Sequence, residues 1–209
     1  MFKDRKDAGQ KLAAALQAYQ GADVLVLAIP RGGAELGYEI AKALQCDISL
    51  IICRKLPYPY NPESGFGAVA EDGSLYINKR AAASVADDEI ERIILQQSRE
   101  IKRRIQTLRK GRALPPLKGR TVILVDDGIA MGSTMHTAVD LCRKADAGRI
   151  IVAVPVAGRE AIEEFSKMAD DVIVLESPAP FYAVAQVYEN WYDVSDEEVL
   201  ALGARYAKR

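Results

Sequence analysis

Two adjacent carboxylates close an apolar, largely β-branched run in Thr121-Val122-Ile123-Leu124-Val125-Asp126-Asp127. Gly128-Ile129-Ala130-Met131-Gly132-Ser133-Thr134 follows as a turn of mostly small residues. A buried strand of this kind delivers both acids to its carboxyl end, where an open α/β sheet binds its ligand. Backbone N–H groups of the turn, and of the helix that begins near Ser133, face the same place and make an anion site. Carboxylates suit hydroxyl groups and an N–H cradle suits phosphate. The combination fits a ligand that carries both, as a ribose 5-phosphate does.

Pro30-Arg31-Gly32-Gly33 is a second candidate turn, placed between a strand and a helix. Its glycines let backbone approach a ligand closely, and the helix N-terminus favours an anion. Paired glycines are frequent in α/β turns, so this one gains its meaning from the acidic motif. The dinucleotide-binding glycine spacing and the Walker A pattern are both absent. Arg54-Lys55 ends a strand just before a Pro-rich stretch; it reads either as a solvated strand end or as a cationic clamp beside a lid over 56–67. His136, the single histidine, excludes a His-rich metal site and reads as an ordinary helix residue.

The rest of the composition sets bounds. A formal net charge of -1 provides no global field for nucleic acid. Cys46, Cys53 and Cys142 lack C-x-x-C spacing and read as reduced thiols of a cytoplasmic protein. No apolar run reaches the length of a membrane span, and the first residues lack a signal-peptide core. Ten basic residues between Arg92 and Arg120 face one acid, Glu100, a local +9 that leaves -10 for the remainder. A solvated helix face is the first reading of that segment. Contact with an acidic neighbouring subunit, as in a homo-oligomer, is the second. RNA binding is the third, because no aromatics are interleaved.

The elements that must position these residues follow from periodicity. Ala8, Leu12, Ala15, Leu16 and Tyr19 predict an amphipathic helix over 7–19. A buried strand over 24–29, a helix over 34–44 and a second strand over 48–53 come next. Three prolines and a glycine predict irregular structure over 56–65. Segments 66–70 and 75–77 flank Asp72-Gly73 as a hairpin. A long helix over 87–110 carries the stripe Ile90, Ile94, Ile101, Ile105 and Leu108. Beyond the acidic strand, a helix over 133–145, a strand over 150–154, a helix over 159–168 and a strand over 172–175 precede an aromatic segment from Phe181 to Tyr192. Ser195 and Glu198 form a capping box for the last helix. The alternation predicts an α/β fold, three-layered and doubly wound around a mostly parallel sheet. At 209 residues it reads as one domain over 1–209, with the hairpin and long helix inserted at about 66–111.

The acidic strand and its turn resemble the diphosphoribosyl-binding motif of type I phosphoribosyltransferases. Nearly the whole chain is similar to a bacterial and archaeal group of that family. The likeness rests on Asp4-Arg5-x-x-Ala8-Gly9, Pro30-Arg31-Gly32-Gly33, Asn61-Pro62-Glu63, the run from Gly67 to Gly73, the run from Val125 to Ala130, Val154-Pro155-Val156-Ala157 and the run from Ser195 to Val199. Members are sometimes fused to a dienelactone-hydrolase-like domain, for which this sequence has no room. The resemblance implies that Asp126 and Asp127 hold the ribose hydroxyls and that residues 128–134 (Gly128, Ile129, Ala130, Met131, Gly132, Ser133, Thr134) hold the 5-phosphate. It further implies that Arg31, Gly32 and Gly33 hold the diphosphate, with a cis peptide at Arg31-Gly32. Lys55 first and Arg54 second would clamp the diphosphate. A small hood at about 178–209 would present Phe181 or Trp191 to a base.

The implied reaction is transfer of 5-phosphoribose from 5-phosphoribosyl 1-diphosphate to a nucleobase-like acceptor, as in nucleotide salvage, with Asp126, Asp127 and Lys55 as the catalytic set. Mg2+ is implied, bound mainly through the diphosphate with no direct protein ligand. Gly128 departs from the aliphatic residue common in the wider family, and Met131 from a common Thr. Losing that one hydroxyl is worth about 0.5–1.5 kcal/mol. Ala130 occupies the place of the aspartate of 6-oxopurine enzymes, which points away from hypoxanthine and guanine. The competing class is a regulator that binds the diphosphate without turnover and acts on a protein or RNA, motivated by Met131 and the basic helix. A nucleotide-binding oxidoreductase lacks its glycine fingerprint here.

Overall fold

The computed structural model describes residues 1–21 and 23–206. In chain order its elements are α1 (Arg5–Ala15), β1 (Val24–Ala28), α2 (Gly32–Leu44), β2 (Asp47–Leu50), β3 (Cys53–Tyr58), β4 (Asn61–Ala70), β5 (Leu75–Ile77), α3 (Lys79–Ala82), α4 (Asp87–Arg109), β6 (Thr121–Val125), α5 (Ser133–Lys144), β7 (Arg149–Val156), α6 (Arg159–Phe165), β8 (Asp171–Glu176) and α7 (Asp196–Tyr206). Single 3-10 turns cover Gln17–Tyr19 and Val184–Val187.

Five strands form a parallel sheet in the order β2-β1-β6-β7-β8. Every residue of β1 is buried, the continuous apolar signature of a strand covered on both faces. Leu25, Leu27, Val122, Leu124 and Val152 face α5 and α6 through Met135, Leu141 and Phe165. The alternate residues Val24, Val26, Ile123, Val125 and Ile151 face α1 and α2 through Leu12, Leu36 and Ile40. The result is three layers. The chain runs outward from β1 to β2 and later returns to lay β6 against the other side of β1. Ala28 is in register with Val125, so residues 29–33 and 126–134 leave the sheet side by side at this reversal, where such sheets bind ligands.

The second sheet, β3-β4-β5, is antiparallel. Leu56 and Phe66 pack with Ile93, Ile101 and Leu108 of α4. Cys53 and Ala70 join the cluster that holds Met135 and Ala138 of α5. The strand expected over 48–53 divides here: β2 stops at Leu50, and the chain crosses to the other sheet at Ile51-Ile52. The Glu71 carboxylate accepts the Ile52 N–H at 3.0 Å, so the backbone group freed by the crossing is satisfied. The irregular segment and lid expected over 56–67 are instead the paired ends of β3 and β4. Pro57 sits where the register shifts, a place that needs no ladder N–H, and Pro62 lies near the end of the pairing. The short helix α3, capped by Asn78, was not expected.

The basic segment is more than a solvated face. Arg104 and Arg109 are buried. Arg109 donates to Glu71, from Nη1 to Oε1 at 3.0 Å and from Nη2 to Oε2, and also to the Leu50 carbonyl at 3.0 Å. This pair fastens α4 to the crossing point. Among the described residues no helix is long and apolar enough to cross a membrane.

Candidate functional site

The acidic pair is built by three elements. Asp126 and Asp127 follow β6 directly, and the Asp127 N–H donates to Asp126 Oδ1 at 2.9 Å. Arg5, on α1, is 3 % exposed and donates from Nε to Asp127 Oδ2 at 2.8 Å. Its Nη1 donates to the Tyr192 carbonyl at 2.8 Å, and its guanidinium lies 3.9 Å from the centre of the Trp191 ring. Tyr188 donates its hydroxyl to the Asp127 carbonyl at 2.7 Å. The C-terminal aromatic segment thus buttresses the acids from behind. Burial, and then the adjacent Asp127 charge, push Asp126 well above the ordinary carboxylate range. Burial raises Asp127 as well, but the Arg5 cation opposes it. The two acids are therefore unequal, and Asp126 is the one that holds its proton more tightly.

The turn at residues 30–33 abuts the pair. A Cβ on Gly32 would lie 1.9 Å from Asp127 Oδ2 and 2.6 Å from its Cγ, so only glycine allows α2 to start there. Gly32→Ala is expected to lower stability by about 1–3 kcal/mol through overpacking, read as a lower urea midpoint. The cis bond of this turn is Pro30-Arg31, one bond earlier than the expected Arg31-Gly32. Arg31 turns away toward α7, with Nη1 3.8 Å from Asp196 Oδ1.

A cavity of about 260 Å³ opens beside the pair. Asp126 and residues 128–135 line it on one side, Lys55, Glu63 and Gly65 on another, and Val184 closes it. Among the described residues, no hydrogen bond leaves the backbone N–H groups of residues 130–135. They form the turn and the first turn of α5, a helix of 12 residues entered through Gly132 at φ +73°. A concentration of free donors at a helix N-terminus is an anion site. Met131 lines the cavity and is 58 % exposed. Lys55 donates from Nζ to the Glu63 carbonyl, and burial lowers its proton affinity.

Of the residues singled out in the sequence, Lys55, Asp126, Gly128, Ile129, Ala130, Met131, Gly132, Ser133 and Thr134 share this cavity. Arg31, Gly32, Gly33 and Asp127 stand behind its wall. Arg54 does not reach it: successive strand residues face opposite ways, and Arg54 donates to Gln97 of α4 at 3.1 Å. The hood residues are displaced too. Trp191 is occupied by Arg5, and Phe181 packs against Gly158, where a Cβ would lie 3.2 Å from its ring. Val184 fills the space beside Gly128, with its Cγ1 2.6 Å from where a Cβ would stand. His136 is buried: it stacks on Tyr76 with centroids 4.1 Å apart and sets Nε2 2.7 Å from Glu164 Oε1.

Arg5 and Val184 were not singled out for roles in the sequence. Arg5 was legible, because it shares a helical face with Ala8 and Leu12, both fully buried, and a charged residue on a buried face needs a partner. Nothing local announces Val184.

Comparison with known proteins agrees with this geometry. The sequence matches the phosphoribosyl transferase domain family over residues 2–189. A Mycobacterium tuberculosis H37Rv protein with the provisional name phosphoribosyl transferase is 40 % identical over 206 residues, covering 96 % of this chain and 46 % of that protein. The chain thus spans about half the length of the curated relatives it matches. The crystal structure of TT1426 from Thermus thermophilus is similar with a TM-score of 0.80 and 36 % identity, covering 98 % of each chain. A ribose-phosphate pyrophosphokinase of Pyrococcus furiosus is 37 % identical over 76 residues, 35 % of this chain and 27 % of that protein. The match over most of the sequence, and the sheet reversal that sets paired acids beside a donor-rich turn, make this chain a member of the phosphoribosyl transferase domain family.

Proposed function

We propose that this protein transfers the 5-phosphoribosyl group from 5-phosphoribosyl 1-diphosphate to a ring nitrogen of a nucleobase-like acceptor and releases pyrophosphate. The observation that carries this reading is the meeting of the Asp126 carboxylate and the free N–H groups of residues 130–135 in one cavity. The 5-phosphate takes the turn and the Ser133 and Thr134 hydroxyls. The ribose hydroxyls take Asp126, and Asp127 holds the pair in place through Arg5 and the glycine turn. The bond from C1 to the diphosphate oxygen breaks with its electrons leaving on the diphosphate, beside Lys55. The acceptor nitrogen then bonds C1 from the open side and gives up its proton to the departing pyrophosphate. The negative charge of the acidic pair lies beneath the developing oxocarbenium ion.

Among the described residues no group of three His, Cys, Asp or Glu could enclose a metal ion. Asp126 and Glu63 both line the cavity, and Mg2+ binds through one or two carboxylates plus substrate oxygens, so this lining fits it. Substrate oxygens would hold the ion, with the Asp126 carboxylate beside them, and it would offset charge on the leaving diphosphate. The same reading takes residues 1–209 as one domain, working in the cytoplasm on diffusible substrates.

The test is pyrophosphate release from 5-phosphoribosyl 1-diphosphate with Mg2+ across a panel of bases. Release with adenine or uracil, and little with hypoxanthine, is the expected outcome, because Ala130 lacks the acid that 6-oxopurines would require. Failure to bind the diphosphate sugar overturns the proposal. Binding without turnover for any base selects the regulator instead.

A further inference from the structure

β3 separates its two cations. Lys55 faces the Asp126 cavity, whereas Arg54 faces α4 and a second concavity of about 420 Å³, lined by Arg54, Gln96, Gln97, Arg99, Glu100 and Arg103. One lining carboxylate answers the guanidinium groups there. Glu100 accepts both Nε and Nη2 of Arg103 at 2.8 Å, and Nε of Arg104 at 3.0 Å. Asp196, from α7, reaches Nη2 of Arg103 at 3.5 Å and Nη1 of Arg31 at 3.8 Å. Among the described residues, neither Arg54 nor Arg99 forms an ion pair with a carboxylate. Five arginines are thus gathered around two acids. Burial lowers the proton affinity of Arg54, and Arg104, Arg31 and Arg103 add to the effect against the opposing charge of Glu100. Gln97 is buried and uses its Oε1 on Arg54, which leaves its amide nitrogen as a donor.

We propose that this groove binds an oligophosphate anion, at a site separate from the Asp126 cavity. Surplus positive charge in a concave site draws anions, and guanidinium forks pair with phosphate oxygens two at a time. The volume lies in the small-ligand range. No aromatic side chain lines the groove, so it offers nothing on which a base could stack, and a nucleic-acid strand is disfavoured. The hairpin sheet stands between the two sites, so one ligand molecule does not fill both.

Titration calorimetry of the full chain with tripolyphosphate, with and without saturating 5-phosphoribosyl 1-diphosphate, tests this. A tripolyphosphate site that persists under saturating sugar is the expected result. Arg99→Glu, an exposed change outside the Asp126 cavity, should weaken it about tenfold or more while basal pyrophosphate release stays unchanged. Arg54→Gln should weaken it similarly. Complete displacement of tripolyphosphate by the sugar, or wild-type affinity in both variants, overturns the proposal. So does retention of a short single-stranded RNA that Arg99→Glu abolishes in the absence of any tripolyphosphate site. The two variants decide the matter even if the sugar does not bind, so this result stands apart from the proposed transfer reaction.

Discussion

Asp126→Asn is expected to lower phosphoribosyl transfer by roughly 10²–10³-fold and, in the same protein, to raise thermal stability. The first effect follows from removing negative charge beneath a developing cation, where a fixed charge acts in a partly desolvated site. The second follows from the cost of the carboxylate. Burial and the neighbouring Asp127 both disfavour its ionised form, so the folded state holds this proton more tightly than the unfolded chain does. Below the ordinary carboxylate value near ~3.9 both states are protonated, and the penalty is absent. As pH rises through the elevated folded value, the penalty grows to its full size. Asparagine keeps an oxygen for the Asp127 N–H and carries no charge, so the advantage of the variant should be nil in acid and should grow as pH rises toward neutrality. Because Asp126 also borders an open cavity, we expect a gain of about 1 kcal/mol, or roughly 2–4 °C in Tm for a chain of this size. A Tm equal to or below wild type at pH 7, with the difference flat from pH 4 to 8, would show that Asp126 is not held under electrostatic strain.

The parts of this arrangement that were legible in the sequence are those fixed by local pattern. Val24–Ala28 and Thr121–Val125 are continuous apolar runs because both faces of the sheet are covered, and the acids that end the second run mark its carboxyl edge. The free donors at 130–135 follow from a small-residue turn entering a helix. What was not legible depends on pairings distant in sequence. The crossing at Ile51-Ile52 leaves no mark in an apolar run, because these two residues are as buried as Leu50 and Cys53 on either side. Pro57 suggested a loop, but the register shift that accommodates it is a property of the partner strand. Arg54 and Lys55 read as one clamp because adjacency in sequence conceals that a strand sends neighbours to opposite faces. The aromatics between Phe181 and Tyr192 matched a base-stacking hood in composition, but Trp191 and Tyr192 serve the arginine that serves the acid.

That arginine carries the other large effect. Arg5→Ala is expected to destabilise the protein by about 3–5 kcal/mol, since it strands a largely buried carboxylate and removes the buried cation that compensates it. The corresponding fall in Tm is roughly 6–20 °C. The loss should exceed that of an exposed ion pair such as Lys11–Asp7, which is worth about 0–1 kcal/mol. Activity should fall as well, and in a way that simple unfolding would not produce. Without the guanidinium, Asp127 loses the partner that holds it ionised, and its proton affinity rises toward that of Asp126. The acid limb of the kcat/KM profile should therefore move to higher pH, measured below the Tm of the variant. Arg5→Lys keeps a cation but not the fork that reaches Asp127 and the Tyr192 carbonyl together. It should restore much of the pH profile and only part of the stability. If Arg5→Ala and Arg5→Lys lose equal stability and share the wild-type pH limb, Arg5 acts by packing against Trp191, and the electrostatic division between the two aspartates is wrong.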